Sequence, residues 1–257
     1  MGGMTFNVAA SAYDAFMGRF SRLLSPQMAD LAGVARGLQV LDVGCGPGAL
    51  TSVLVDRVGA DQVSAVDPSP PFVEAVRARY PGVTVLQASA ESLPFPDRAF
   101  DAAIAQLVVH FMADPVAGLA EMARVTRPGG VVAASVWDHA GGLGPLGLFW
   151  QAARELDPGV RDESHLAGAR EGHLAELLRA AGLQDVEDTS LAADLEMPDF
   201  ETWWEPFTRG VGPAGAYVAG LDPAGVAALR ERCLAMLPGG AFTVPARAWA
   251  ARGVVAA

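Results

Sequence analysis

Residues 40 to 48 read Val40-Leu41-Asp42-Val43-Gly44-Cys45-Gly46-Pro47-Gly48. An apolar run with one carboxylate breaks there into three alternating glycines and then into a helical pattern. That is the arrangement of a buried strand delivering its chain to a ligand. Glycine has no Cβ, so its backbone N–H can approach a bound molecule closely and adopt φ values that other residues avoid. In an open α/β sheet such a ligand sits against the backbone at the strand's carboxyl end.

The segments around this hinge supply the rest of such a sheet. Between residues 39 and 137, β-rich runs alternate with helix-period segments, the pattern of βαβ units and a parallel sheet. Leu50, Val53, Leu54 and Val58 fall on one helical face after the glycines. Residues 63–67 form a second strand ending on Asp67, and Pro70-Pro71 starts a helix on which Phe72, Val76 and Tyr80 recur every four residues. Further strands are predicted at 83–86, 100–106 and 131–137. The helix before the last of these carries Val116, Leu119, Ala120 and Ala123 on one side, and Arg127-Pro128-Gly129-Gly130 stops it and turns the chain.

Beyond Trp137 the rhythm changes. A glycine-rich loop at 140–145 precedes a helix near 149–156, a second helix through Leu174, Leu177, Leu178 and Ala181 ends at Gly182, and 183–191 reads as a strand. Residues 197–238 fit no βα alternation; they hold Trp203, Trp204 and Phe207, then a helix with Asp222 as N-cap and Pro223 at its first position. Val226, Leu229, Cys233 and Leu237 form its apolar face, and a final strand falls within 242–249. The first 36 residues look helical, with Ser25-Pro26 marking a second helix start. The chain thus divides into an N-terminal helical cap (1–36), a ligand-binding core (37–196), a helical lid (197–238) and a last strand returning to the core (239–257).

Composition removes several function classes. A formal charge of −11, with no run of Lys or Arg, argues against wide contact with a nucleic-acid backbone. Only Cys45 and Cys233 are present, one of them inside the glycine loop, so a disulfide framework is implausible and a reducing compartment is favoured. The opening residues lack the basic and apolar regions of a secretion signal, and no apolar stretch reaches the ~20 residues a membrane span needs. The expectation is a soluble, cytoplasmic protein, monomer or homodimer, with neither nucleic acid nor membrane as partner.

Glycine loops after a first strand serve dinucleotides and other nucleoside ligands alike. Three details narrow the choice. Asp42 sits inside the strand, where a carboxylate crowds a pyrophosphate but suits a cationic, amino-acid-bearing ligand. Pro47 removes a backbone donor and so weakens an anion nest. Asp67 ends the second strand about twenty residues downstream of the loop, where an acid accepts hydrogen bonds from two ribose hydroxyls. The ligand is then a nucleoside whose tail is not a phosphate.

These residues resemble the class I S-adenosylmethionine-dependent methyltransferases, particularly the branch similar to ubiquinone/menaquinone-biosynthesis C-methyltransferases. The resemblance covers residues 10 to 137 well and the remainder loosely. Residues 40–48 look like that family's first motif, Val66-Asp67-Pro68-Ser69 like its acidic ribose-binding segment, and Ala90-Glu91-Ser92-Leu93-Pro94-Phe95 like its loop at the adenine. Phe100-Asp101 with Gln106 matches the fourth-strand motif, and Arg127-Pro128-Gly129-Gly130 the turn before strand five. The resemblance implies an α/β Rossmann-like sheet of seven strands in order 3-2-1-4-5-7-6, the last strand antiparallel, with helices on both faces. It implies S-adenosylmethionine as cofactor, S-adenosylhomocysteine as product and a small-molecule acceptor methylated on carbon, oxygen or nitrogen. The implied cofactor contacts are Tyr13, Asp42, Gly44, Cys45, Gly46, Gly48, Asp67, Pro68, Ser69, Ala90, Glu91 and Gln106. Ser89 departs from the aspartate many relatives carry beside the adenine, leaving Glu91 or a backbone amide for that contact.

Methyl transfer from a sulfonium needs alignment more than a nucleophilic triad, so no side chain is singled out as catalyst. His110, just past strand four, and Asp138 with His139, ending strand five, are the candidates for a general base should the acceptor need to lose a proton. Packing or capping roles are the commoner fate of such residues. A metal site is rejected because strand four supplies Gln106 rather than an acid. Trp150, Trp203, Trp204 and Phe207 read as core, with a share in a substrate pocket as the alternative. Arg19 and Arg22 read as surface residues, with a cofactor carboxylate as the alternative partner. Two other functions stay open: a nicotinamide-dependent oxidoreductase, since Gly44, Gly46 and Ala49 satisfy GxGxx[G/A], and a protein that binds the nucleoside without turnover.

Overall fold

The computed structural model describes residues 10–210 and 212–257, with side chains from residue 16 onward. Helix α1 (Ala10–Leu31) runs without a break through Ser25-Pro26, where the sequence suggests a second start. Proline in a helix interior costs roughly 3 kcal/mol. Phe20, Leu24 and Met28 are buried on one face across the proline, at roughly 1.5–3 kcal/mol each, and this outweighs the lost bond.

The first half then alternates as the β-rich and helical periods require. β1 (Val40–Val43), α2 (Ala49–Val58), β2 (Val63–Asp67), α3 (Pro70–Arg79), β3 (Thr84–Gln87), β4 (Phe100–Gln106) and α4 (Pro115–Val125) follow in turn. β5 (Thr126–Trp137) begins earlier than the Arg127-Pro128-Gly129-Gly130 turn suggests. Pairing jumps from Phe100↔Thr126 to Ala102↔Val131, so residues 127–130 form an irregular swelling of the strand instead of a loop before it. Glycine permits this: Gly129 has φ +79°, and a Cβ on Gly130 would meet the Asp101 carbonyl at 2.6 Å.

α5 (Gly147–Leu156), α6 (His173–Ala180), β6 (Gln184–Ala192) and β7 (Leu195–Met197) come next, then α7 (Phe200–Trp204), α8 (Gly212–Gly220) and α9 (Pro223–Met236). The Asp222 carboxylate caps α9 by accepting from the Gly225 amide at 2.7 Å, with Pro223 at the first helical position. The final stretch is two strands rather than one. β8 (Phe242–Val244) pairs with β7 across the neck of the helical segment, and β9 (Arg247–Val254) enters the main sheet. Pro245, between them, has no N–H to continue a ladder.

The seven-stranded sheet has the order β3-β2-β1-β4-β5-β9-β6, with β9 antiparallel to both neighbours. Counting β9 as the seventh strand, this is the 3-2-1-4-5-7-6 order that the resemblance implies. The order reverses between β1 and β4, and a ligand crevice opens at such a switch point. The helices after β7 share a core with α1 and α5: Phe207 stacks on Phe149 with ring centroids 4.5 Å apart and meets the Phe16 edge at 5.1 Å. Among the described residues, no helix is long and apolar enough to cross a membrane.

Candidate functional site

The glycine loop is held open by its own backbone. Gly44, Gly46 and Gly48 have φ of +71°, +52° and +96°. The Gly44 and Cys45 amides both donate to the Val66 carbonyl of β2, at 2.8 and 3.0 Å, which fastens the start of the loop to the neighbouring strand. A Cβ on Gly44 would lie 2.5 Å from a Val108 methyl, whereas one on Gly46, a residue of the crevice lining, would meet nothing within 4 Å.

Two buried acids flank this loop. Asp67, at the end of β2, accepts from the Gly46 amide at 2.9 Å through Oδ2 and from the Ser69 amide at 2.8 Å through Oδ1. A carboxylate has about four acceptor sites, so each oxygen keeps a lone pair for a ligand hydroxyl. Burial raises its pKa, against those two amide bonds. Asp42 lies beneath the loop and accepts from the Thr51 hydroxyl of α2 at 2.6 Å. Burial pushes its carboxyl up to about 7, with the Thr51 bond opposing and the Asp67 charge adding. The same burial, with both acids near, holds the Cys45 thiol protonated well above its usual pKa.

The carboxyl end of β4 completes the crevice. Gln106 donates through Nε2 to the Ser21 carbonyl of α1 at 3.1 Å, while its Oε1 is buried with no partner among the described residues. Leu107 follows with φ +62°, a conformation that costs a non-glycine residue of order 1–3 kcal/mol, and its amide is held by the Ser135 carbonyl at 2.9 Å. Strain held in place this way is common at ligand sites. One hollow, with about 490 Å³ of empty space partly open to solvent, is bounded by Gly44, Gly46, Asp67, Pro68, Phe72 and Gln106. A second, narrower hollow runs under the loop beside Asp42, Cys45 and Gln106.

The other expected contacts are placed as follows. Tyr13 lies in α1, its side chain outside the described residues. Ser69 precedes α3 with its amide on Asp67. Ala90 is buried among the residues under α4, and the Glu91 carboxylate accepts from the Ala113 amide at 2.7 Å, tying its loop to the residues before that helix. Arg19 is half-buried on α1 and Arg22 exposed.

A third hollow, about 460 Å³ and also partly open, lies between α1, β5 and the helices after β7. His110, His139 and Glu163 line it together with apolar side chains. Asp138 is committed elsewhere: its Oδ2 accepts from Arg247 at 2.9 and 2.5 Å and its Oδ1 from the Gly141 amide at 2.8 Å. Trp203, Trp204 and Phe207 pack in the core behind, and Trp150 donates to Glu163 at 3.0 Å. Sequence reasoning missed Thr51, Leu107 and Glu163, none of which sits in a motif that marks it. Among the described residues, no cluster of His, Cys, Asp and Glu is arranged to hold a metal ion.

A methyltransferase-domain family pattern matches residues 41–134. A malonyl-[acyl-carrier protein] O-methyltransferase of Pseudescherichia vulneris is 34% identical over 194 residues, covering 74% of this chain and 72% of that protein. The chain belongs to the class I S-adenosylmethionine-dependent methyltransferases. A protein of the same name from Serratia marcescens is 36% identical over 146 residues, 57% of this chain, and the chain spans only 56% of its length. Among solved structures, the [4+2]-cyclase SpnF is similar at TM-score 0.56 and 24% identity, covering 92% of this chain and 81% of that one. The shared fold alone therefore does not specify the reaction.

The family's cofactor fits the residues present. A crevice lined by Gly46 with open space where a Cβ would stand, a buried Gln106 oxygen without a partner among the described residues, and an acid at the end of β2 with lone pairs to spare match an adenosine with an amino-acid tail.

Proposed function

We propose that the chain methylates a small-molecule acceptor, using S-adenosylmethionine bound across the ends of β1, β2 and β4. The single observation that carries this reading is a shared wall. Leu107 and Phe111 border both the crevice at the glycine loop and the hollow beneath the helices after β7, so a donor in one and an acceptor in the other meet at these two residues.

Bound there, the cofactor supplies a methyl group already activated on sulfur. The chain's part is to bind, align and keep water out. Asp67 takes the ribose hydroxyls, the Gly44–Gly48 backbone lies along the methionine part, and Asp42 with Gln106 completes the wall near its cationic end. Tyr13, Cys45, Pro68, Ser69, Ala90 and Glu91 are assigned to the same contact surface. Residues 1–36 and 197–238 act as the cap and lid that shape the acceptor hollow over the core of 37–196, which the strand in 239–257 closes. The charge of −11 supports an acceptor other than nucleic acid, and the two cysteines, both free and buried, suit a cytoplasmic enzyme, monomer or homodimer.

The malonyl group in the relatives' names is an anion. Among the described residues lining the hollow there is a glutamate and no Lys or Arg, which favours an acceptor without that anionic group. Calorimetric titration with S-adenosylhomocysteine and NADH, followed by a transfer assay with phenolic, quinone and amine acceptors, tests the reading. Tight binding of the first ligand with methylated product supports it. Binding of NADH alone, or binding of S-adenosylhomocysteine without transfer to any acceptor, overturns it.

A further inference from the structure

The hollow beneath the lid contains a polar cluster that cofactor binding leaves unused. Phe16, Met17, Leu107, Phe111, Trp137 and Leu146 make its walls apolar. At one side His110 and His139 stand with ring centroids 5.7 Å apart. His110 Nδ1 and His139 Nε2 are both buried with no hydrogen-bond partner among the described residues. An unpaired buried polar atom costs about 1–3 kcal/mol, so two of them on residues that line one apolar hollow point to a ligand that pairs with them.

Behind His139 stands Glu163, whose side chain is 7% exposed. Trp150 Nε1 donates to Glu163 Oε2 at 3.0 Å, and His139 Nδ1 lies 4.0 Å from the same oxygen. That is too long for a hydrogen bond, but closure by about 1 Å makes one, as often happens when a catalytic site fills. Nδ1 is thus the ring nitrogen nearer the carboxylate, which leaves Nε2, buried and unpartnered among the described residues, as the nitrogen for a ligand of the hollow that His139 lines. The neighbouring charges are already paired: Asp138 with Arg247 at 2.5 Å, and Asp162 with Arg154. Burial lowers both imidazoles, His139 to about 4 and His110 well below its usual range, and raises Glu163 to about 7. The described lining thus offers hydrogen bonds and no positive charge near neutral pH.

We infer that this hollow takes an uncharged, mostly apolar acceptor through a phenolic or enolic hydroxyl, that His139 Nε2 accepts the hydroxyl proton, and that Glu163 positions His139 for it. The inference rests on the methyltransferase reading above. As the acceptor oxygen bonds to the methyl carbon, the sulfur–carbon electron pair stays with sulfur and the hydroxyl proton moves to Nε2. The products are a methyl ether, S-adenosylhomocysteine and an imidazolium facing Glu163, which later releases its proton to water. His110 Nδ1 holds the hydroxyl from the other side.

The test uses the full chain saturated with S-adenosylhomocysteine and labelled at its four histidines. Three compounds of one shape are added: 4-butylphenol, 4-butylbenzoate and 4-butylbenzylammonium. The phenol is expected to shift the His110 and His139 imidazole resonances, leave His165 and His173 still, and bind at least about tenfold tighter than either ion. No shift with the phenol, or equal binding of either ion, overturns the inference. Kinetics with 4-butylphenol and S-adenosylmethionine address the two roles. Glu163→Gln is expected to lower kcat about tenfold with KM within about twofold, and to move the His139 nitrogen shifts toward the other tautomer. Unchanged nitrogen shifts, or phenol binding without methylation, remove the roles of Glu163 and His139 respectively. If Glu163→Gln does not fold, His139→Asn carries the test through the same loss of kcat at unchanged S-adenosylhomocysteine affinity, and an unchanged kcat overturns it. Failure to bind S-adenosylhomocysteine at all sinks the methyltransferase reading instead.

Discussion

The Gly46 amide donates to Asp67 Oδ2 at 2.9 Å, so the loop that ends β1 is tied to the acid that ends β2. One carboxylate thereby shapes the loop and faces the crevice. Asp67→Ala removes the loop tie, the Ser69 tie and the proposed ribose contacts together. With charge-assisted bonds worth about 1.5–3 kcal/mol each, S-adenosylhomocysteine affinity is expected to fall by at least about tenfold. Calorimetric titration measures it, and an unchanged dissociation constant takes Asp67 out of the ligand site.

The glycines of the loop differ in what they accommodate. Gly44→Ala drives a methyl to 2.5 Å from Val108, on a backbone at φ +71°. Gly46→Ala meets no atom within 4 Å and incurs only the left-handed backbone cost, about 1–2 kcal/mol. Urea unfolding is expected to show the larger loss for Gly44→Ala. Gly46→Ala is expected to stay folded and lose cofactor affinity, because its new methyl stands on a residue of the crevice lining. The reverse order of stabilities contradicts this geometry.

Much of the arrangement was legible because it depends on local chemistry. Three glycines after an apolar run, an acid inside β1 and another ending β2, and Asp222-Pro223 at a helix start each carry a local signal, and the structure places the loop, the strands and the helix accordingly. What the sequence hid depends on distant packing. Nothing in Leu107 announces φ +62°; the β4–β5 register and the Ser135 carbonyl impose it. Glu163 lies outside every helix and strand and lines the hollow with its carboxylate accepting from Trp150 on α5, a pairing between residues thirteen apart that no motif marks. The uninterrupted α1 at Pro26 and the separate β7–β8 pair likewise follow from burial across the molecule.

Burial pushes the Asp42 carboxyl up to about 7, which leaves it partly protonated at neutral pH. A cationic ligand beside it favours the charged form and expels the proton. Titration of S-adenosylmethionine at about pH 6.5, in buffers with different ionisation heats, is expected to show release of up to about one proton. Asp42→Asn is expected to abolish most of that release. Equal release from the variant assigns the proton to another group.

The bond from Thr51 to Asp42 supplies a sharper pH test of the same acid. Because burial raises the folded pKa of Asp42 from 3.8 to about 7, the stability it contributes is full below the lower value and is lost as pH rises through the upper one. The charged carboxylate is the costly form, and the Thr51 hydroxyl at 2.6 Å is what relieves it. Thr51→Val keeps the shape and removes the donor, leaving a buried acceptor unpaired at about 1–3 kcal/mol. The destabilisation is expected to be larger at about pH 8, where Asp42 is charged, than at about pH 5, where it is protonated. Thermal unfolding of both proteins at the two pH values measures the difference. An equal shift in Tm at both means that Asp42 does not titrate in this range, and the electrostatic account of the loop fails with it.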